Sequence, residues 1–262
     1  MLIAQLSDFH VAAPGAAAAG NDSAARLALC VRELARMEPQ PDALLATGDL
    51  VEGGTLAEYL QVRELLAPIA APLYVIPGNH DKRIAMRTAF ADHGYLPGGE
   101  GAICYAVEDD QLGLIALDTL VEGADGGELD AAQLAWLETT LQRMAGRRLV
   151  VFMHHPPIRT GIRCMDELAL EPRSARRLGE LVGRHGHVEA ILCGHVHRPI
   201  HASWNGTRVS VCPSTSYQGI LNLRGDPFDA ATAEPPGYHV HYWDGSRLIT
   251  HMVVAVAAEP KQ

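Results

Sequence analysis

No apolar run in the sequence approaches the length of a membrane span. The first residues carry no basic cluster and reach Asp8 too early for a secretory signal. Positive charge is in deficit: 21 Lys and Arg against 31 Asp and Glu give a formal net charge of −10. That balance speaks against a protein that grips nucleic acid through backbone phosphates, so no nucleic acid polymer is expected as a partner. Any affinity for phosphate must then be local, and bound cations supply it most simply. The five cysteines, Cys30, Cys104, Cys164, Cys193 and Cys212, form no Cys-x-x-Cys pair, which reads as free thiols in a reducing cytoplasm. Internal repeats and low-complexity linkers are also missing. What remains is a 262-residue chain, 48% hydrophobic and 20% charged, with the composition of a soluble globular protein that buries a full core.

Five short apolar runs, over 2–6, 43–46, 73–76, 149–152 and 188–193, each end in a polar motif. The motifs are Ser7-Asp8-Phe9-His10, Gly48-Asp49, Gly78-Asn79-His80-Asp81, Met153-His154-His155-Pro156 and Gly194-His195-Val196-His197. Short runs of this kind, halted by Gly, Pro, Asp or His, predict buried strands whose C-terminal ends carry polar side chains to one rim of a sheet. Open α/β sheets bind ligands at that rim. The polar set gathered there, two Asp, one Asn and several His, is a metal-ligand inventory.

Between these runs the spacing predicts a loop over 12–21, then a helix over 23–37 with Leu27, Val31 and Leu34 on one face, stopped by Pro39 and Pro41. Thr55 with Glu58 reads as a capping box for a helix through Leu66. A helix is predicted over 82–91, a hairpin over 102–107 and 112–117, a helix from Asp130 and another over 173–182. Asn205-Gly206 marks a hairpin between 200–204 and 207–211, and Asp244-Gly245 a last one between 238–243 and 247–254. Residues 213–237 read as an irregular excursion. The chain is therefore divided into a main α/β unit, 1–212, and a C-terminal extension, 213–262, suited to a cap or a homodimer contact.

The chemistry follows from the donors. Asp8 and His10 lie two apart, which on a strand would put both on one face to chelate a single cation. Gly48 permits a sharp turn, after which the two oxygens of Asp49 can bridge two cations. Asn79 offers a neutral amide oxygen, and His154, His195 and His197 offer nitrogen donors. Seven ligands with one shared make two four-ligand sites. Two cations about 3.5–4 Å apart with open positions define a hydrolytic arrangement suited to a phosphate ester. Mixed O/N ligation without thiolate accepts Fe, Mn, Zn or Co.

The set Asp8-x-His10, Gly48-Asp49, Gly78-Asn79-His80-Asp81, His154 and Gly194-His195-x-His197 resembles the calcineurin-like metallophosphoesterases. Gly48-Asp49-Leu50-Val51, the doublet His154-His155-Pro156-Pro157 and the length resemble the bacterial class III cyclic-nucleotide phosphodiesterases and related glycerophosphodiesterases. The stretch Gly48-Asp49-Leu50-Val51-Glu52-Gly53-Gly54 departs from the Gly-Asp-x-x-Asp-Arg-Gly of protein serine/threonine phosphatases. The resemblance implies a four-layer α/β/β/α sandwich. It assigns Asp8, His10, Asp49 and His197 to one metal ion and Asp49, Asn79, His154 and His195 to the other. It also implies that His80 contacts the phosphate or helps the leaving oxygen depart without binding metal. The expected activity is a metal-dependent phosphodiesterase acting on a small soluble diester. A phosphomonoesterase or nucleotide pyrophosphatase on the same site is the alternative, and a non-catalytic scaffold is the alternative of another class.

Other residues have plainer readings. His155 adjoins a ligand but points the other way, so it reads as a support or packing residue. His185, His187, His201, His239, His241 and His251 read as surface or strand histidines, with His239, after Pro235-Pro236-Gly237, the one whose chain could return to the site. Lys82 and Arg83 read as surface helix charges before substrate attractors. Asp81 either orients His80 or caps the following helix. Ser7 lacks the partners of a nucleophile, Cys193 reads as packing, and Gly98-Gly99-Glu100-Gly101 as a turn.

Overall fold

The computed structural model describes residues 1–13, 22–224, 231–232 and 234–256. Much of the predicted 12–21 loop, part of the 213–237 excursion and the last six residues lie outside the described residues. The elements run β1 (Leu2–Leu6), α1 (Ser23–Leu34), β2 (Ala43–Thr47), α2 (Leu56–Leu66), β3 (Leu73–Ile76), α3 (Arg83–Ala89), β4 (Tyr105–Val107), β5 (Gly113–Leu117) and α4 (Ala131–Arg143). They continue β6 (Leu149–Met153), α5 (Arg163–Glu167), α6 (Pro172–Arg184), β7 (Val188–Cys193), β8 (Ile200–Trp204) and β9 (Thr207–Val211). The last are β10 (Gln218–Gly219), β11 (Ala231–Thr232), β12 (Gly237–Trp243) and β13 (Leu248–Val254).

Two mixed sheets stack face to face. The first has the order β13-β12-β1-β2-β3, the second β4-β5-β6-β7-β9-β8. The buried runs alternate in which core they feed, because successive side chains leave a strand on opposite faces. On β6, Val150 and Phe152 enter the core shared with the first sheet, while Leu149, Val151 and Met153 face α4 and α6. On β7, Ala190 and Leu192 divide from Ile191 and Cys193 in the same way. Leu27 and Val31 of α1, Val62 of α2 and Met86 of α3 close the outer face of the first sheet. Leu134, Leu137 and Leu141 of α4 with Leu178 and Val182 of α6 close the second. The result is the expected four-layer α/β/β/α sandwich.

Local chemistry sets the helix starts. Thr55 and Glu58 form the reciprocal capping box, and Asp130 with Gln133 forms another. Three predicted spans are corrected. Helix α1 ends at Leu34, because the chain tightens through Arg36 N–H to Glu33 and Met37 N–H to Leu34 bonds before Pro39. Helix α3 gives way to a 3-10 turn over Ala91–His93. Strand β4 begins only at Tyr105.

The C-terminal hairpin sits inside the first sheet. Strand β12 pairs antiparallel with β1, Gln5 opposite His239 and Leu2 opposite Tyr242. The first sheet thus takes strands from both sides of residue 212. The described part of the excursion is also tied in: Thr215 N–H donates to the Ser7 carbonyl at 3.0 Å, and Ser214 Oγ to the Asp8 carbonyl at 2.8 Å.

Candidate metal centre and its cleft

The parallel strands β1, β2, β3, β6 and β7 end at one rim, and each hands over to a loop carrying a candidate donor. Asp8 and His10 are not on the strand, since β1 stops at Leu6. Their convergence comes from the backbone. Asp8, His10, Asp49, His195 and His197 all have positive φ, between 47° and 74°. Non-glycine residues seldom adopt that region, and clustered strain of this kind marks functional sites. Glycine is needed beside these donors. At Gly48, φ is 90°, and a Cβ there would collide with the His154 ring. A Cβ at Gly194 would collide with Ser7 Oγ and the Asp8 carboxylate.

Three histidines are held by one ring nitrogen so that the other faces inward. His154 Nδ1 donates to the Thr47 carbonyl at 2.8 Å, His197 Nδ1 to the Tyr217 carbonyl at 2.9 Å, and His10 Nδ1 meets Glu52 Oε2 at 2.8 Å. A fixed Nδ1 sets the tautomer and aims Nε2. The inward nitrogens converge. His10 Nε2 and His197 Nε2 are 3.1 Å apart, with Asp8 Oδ1 3.4 Å from His197 Nε2. On the other side Asn79 Oδ1 lies 3.2 Å from both His154 Nε2 and His195 Nδ1. Asp49 Oδ2 stands between the groups, 3.3 Å from His154 Nε2 and 3.7 Å from His10 Nε2.

Asp8 and Asp49 are buried, and among the described residues neither has a lysine or arginine in ion-pair range. Charge compensation falls to the histidines. Burial is the largest single influence and would lower the His154 pKa, but Asp49, Asp8 and the bond to the Thr47 carbonyl together outweigh it and push it up to about 9. His197 is raised in the same way, burial being outweighed by Asp8. His195, farther from the carboxylates, is pulled down to about 3 by burial and by the neighbouring His154. Its Nε2 is buried without a hydrogen-bond partner. Converging nitrogen and oxygen acceptors around two buried carboxylates fit a divalent metal centre.

All seven sequence-derived donors therefore meet at one place, and His80 joins them. Its backbone N–H donates to Asp49 Oδ1 at 2.9 Å, its ring lies 4.7 Å from that of His10, and its side chain is about one-third exposed, at 34%. His155 turns away: Nδ1 meets Thr119 Oγ1 at 2.8 Å and Nε2 the Asp125 carbonyl at 3.0 Å, so both nitrogens are used. Asp81 neither caps α3 nor touches the His80 ring. It accepts from Gly78 N–H, Leu50 N–H and Tyr59 Oη, locking the Asn79 turn to the Asp49 loop. Arg83 is paired with buried Asp118 at 2.6 Å and is no free surface charge. Ser7 Oγ is committed to the Thr47 carbonyl. His239 stays away from the rim and, with His241, is buried between the sheets.

Four residues went unnoticed in the sequence. Glu52 touches His10 and lies 3.7 Å from His80 Nδ1. Tyr217 packs its ring 4.4 Å from that of His197. Helix α5 brings Met165 and Leu168 to the cleft above the donors. Only Glu52 had a sequence signal, its place three residues after Asp49.

A family model for the calcineurin-like phosphoesterases matches residues 1–199, and the chain belongs to that family. Over 253 residues, 96% of the chain and 92% of the relative, it is 34% identical to the probable glycerophosphodiester phosphodiesterase GpdQ of Arcobacter nitrofigilis. It is also 34% identical, over 95% of the chain and 88% of the relative, to the 3',5'-cyclic adenosine monophosphate phosphodiesterase CpdA of Pseudomonas aeruginosa. In fold it resembles a dimetal phosphatase from Danio rerio at a TM-score of 0.72, covering 97% of the chain and 96% of that structure at 14% identity. Among the described residues no helix is long and apolar enough to cross a membrane.

Proposed function

We propose that this protein is a two-metal phosphodiesterase that hydrolyses a small diester, a 3',5'-cyclic nucleotide or a glycerophosphodiester. Asp8, His10, Asp49 and His197 would hold one cation and Asp49, Asn79, His154 and His195 the second, from among Fe, Mn, Zn and Co. The observation that carries this reading is the position of Asp49, within 3.7 Å of an inward nitrogen from each group. When bound, such a pair supplies positive charge to phosphate oxygens and brings the pKa of a water towards 7.

The chain's own residues do the rest. Asp8 fixes the 194–197 turn by accepting the His195 N–H at 3.0 Å. Asp49 fixes the His80 backbone, and the His80 ring, free of the inward cluster's short contacts, is suited to give a proton or hydrogen bond to the departing alcohol oxygen. Glu52 fixes the ring of His10. The 34% identity to both named diesterases supports a diester over a monoester. Five free thiols support a cytoplasmic location.

The test is turnover of bis(p-nitrophenyl) phosphate against p-nitrophenyl phosphate in saturating manganese. Faster diester hydrolysis is expected. Faster monoester hydrolysis would move the protein to the phosphomonoesterases, and no metal-stimulated hydrolysis of either would leave a scaffold.

A further inference from the structure

The cleft above the donors is larger than a phosphate needs. It is an open cleft of about 280 Å³. Its floor is the donor cluster, but its walls change character. Met165 and Leu168, from α5 and its C-terminal cap, line it together with Tyr217. Among the described residues no lysine or arginine lines it, and the one carboxylate outside the floor is Asp125.

Met165, Leu168 and Tyr217 belong to segments that also meet outside the cleft. Leu223 lies against Gly161, just before α5, so the chain after Tyr217 closes on the α5 loop. Ile220, Leu221 and Leu223 are 39%, 59% and 63% exposed. Single exposed apolar residues mean little, but three within four positions mark a binding surface. The Tyr217 ring has one side spoken for by His197 and His10, at 4.4 and 5.5 Å, and is held rigidly as a flat wall. Thioether, aliphatic and aromatic carbons lining one cleft suit a planar, uncharged group. A small polyol would find few hydrogen-bonding partners along those walls, and unpaired hydroxyls there would weaken binding.

We infer that Met165, Leu168 and Tyr217 form a specificity slot that takes a ring-bearing group of the diester, a nucleobase or an aryl group, in preference to a small polyol. The inference rests on the diesterase reading and sharpens its substrate. Two diesters with a common leaving group separate the two claims: methyl p-nitrophenyl phosphate and 1-naphthyl p-nitrophenyl phosphate, both followed by p-nitrophenolate release in manganese. The wild-type protein should favour the naphthyl ester in kcat/KM by tenfold or more, within the 10–200-fold that apolar contacts supply. Leu168→Ser and Tyr217→Leu should each lower that ratio at least threefold, mainly by raising KM for the naphthyl ester. Met165→Ser is a third probe, but Met165 also packs on the core, so Leu168→Ser decides if it fails to fold. A wild-type ratio near one, or variants that depress both esters by the same factor, would overturn the slot and leave the diesterase reading standing. Hydrolysis of neither ester would overturn both.

Discussion

Two groups of buried histidines lie in this sandwich, and they are built on opposite principles. At the rim, His10, His154, His195 and His197 surround two buried carboxylates, with Nε2 of three rings and Nδ1 of the fourth directed inward. Between the sheets, His239 and His241 meet neutral partners. His241 Nδ1 faces Thr250 Oγ1 at 2.8 Å and its Nε2 faces Gln5 Oε1 at 3.0 Å, while Gln5 Nε2 donates onward to Thr47 Oγ1 and the Cys193 carbonyl. His239 Nδ1 meets Ser210 Oγ at 3.4 Å. In the second group both nitrogens of His241 are matched, His239 Nε2 has no hydrogen-bond partner among the described residues, and burial lowers both pKa values, that of His239 to about 3, so the rings are neutral. In the first group acceptors face acceptors, and only a proton or a cation between them relieves the repulsion. A buried histidine is thus told apart as ligand or strut by whether a buried carboxylate stands opposite it, and not by an unpartnered nitrogen, which His195 and His239 both carry.

The largest effect should come from removing the carboxylate that both sides of the rim share. Asp49→Ala is expected to abolish hydrolysis and lower the occupancy of both metals, measured by elemental analysis after loading. Loss at one site only would break the sharing. Asn79→Ala sharpens the same point, since its oxygen faces only His154 and His195 and should weaken mainly that site.

Most of the rim was legible in the sequence because β-strands alternate and stop in recognisable ways. The runs ending at Leu6, Thr47, Ile76, Met153 and Cys193 carry their donors within a few residues of the strand end. The capping boxes at Thr55 and Asp130 were equally plain, being local hydrogen-bond chemistry. What stayed hidden is non-local or too short to have a period. The pairing of β12 with β1 joins residues more than 230 positions apart, which leaves no trace in either strand's own pattern. Helix α5 has five residues, too few to show an apolar face. The positive φ values of the donors leave no pattern in the sequence, and it is these, past the end of β1, that bring Asp8 and His10 together and not a shared strand face.

Next in size is His80, which sits at the rim yet is not held like the ligands. His80→Ala should keep both metals and lose turnover on the order of 10²–10⁴-fold with an alkyl leaving group. The loss should shrink with p-nitrophenolate, which departs with little protonation. A variant that loses metal would instead move His80 into the inward cluster, where its distance to His10 and Asp49 would allow it.

A smaller effect is expected at Glu52, the half-exposed acceptor for His10 Nδ1. Partners of this kind are typically worth 10–100-fold in metal affinity. Glu52→Ala should weaken manganese binding by that order, read by titration of the metal-free protein. Glu52→Gln, whose amide oxygen still accepts from Nδ1, should recover part of it. Equal affinity in all three proteins would show that His10 needs no such partner.

The smallest effect tests the neutral group, and it should appear in stability with no change at the rim. His239 is fully buried and its pKa is depressed to about 3, through burial first and then His201. The unfolded chain binds a proton there below about pH 6.5, and the folded protein does not until near pH 3. Stability from this group is therefore complete above about 6.5 and is lost progressively as pH falls through that window. By pH 4.5 the loss from His239 should be on the order of 2–3 kcal/mol. Urea midpoints in chelator, from pH 7 to pH 4.5, would measure it in the wild-type protein and in His239→Asn. The variant is less stable at neutral pH because it leaves a smaller side chain in a packed site, so the comparison lies in the slope and not the level. His195 and His155 titrate in both proteins and cancel in the difference. A shallower acid slope in His239→Asn is expected. Parallel slopes would mean that the inter-sheet histidine takes up its proton without unfolding the protein, and the distinction between the two groups would then rest on the rim alone.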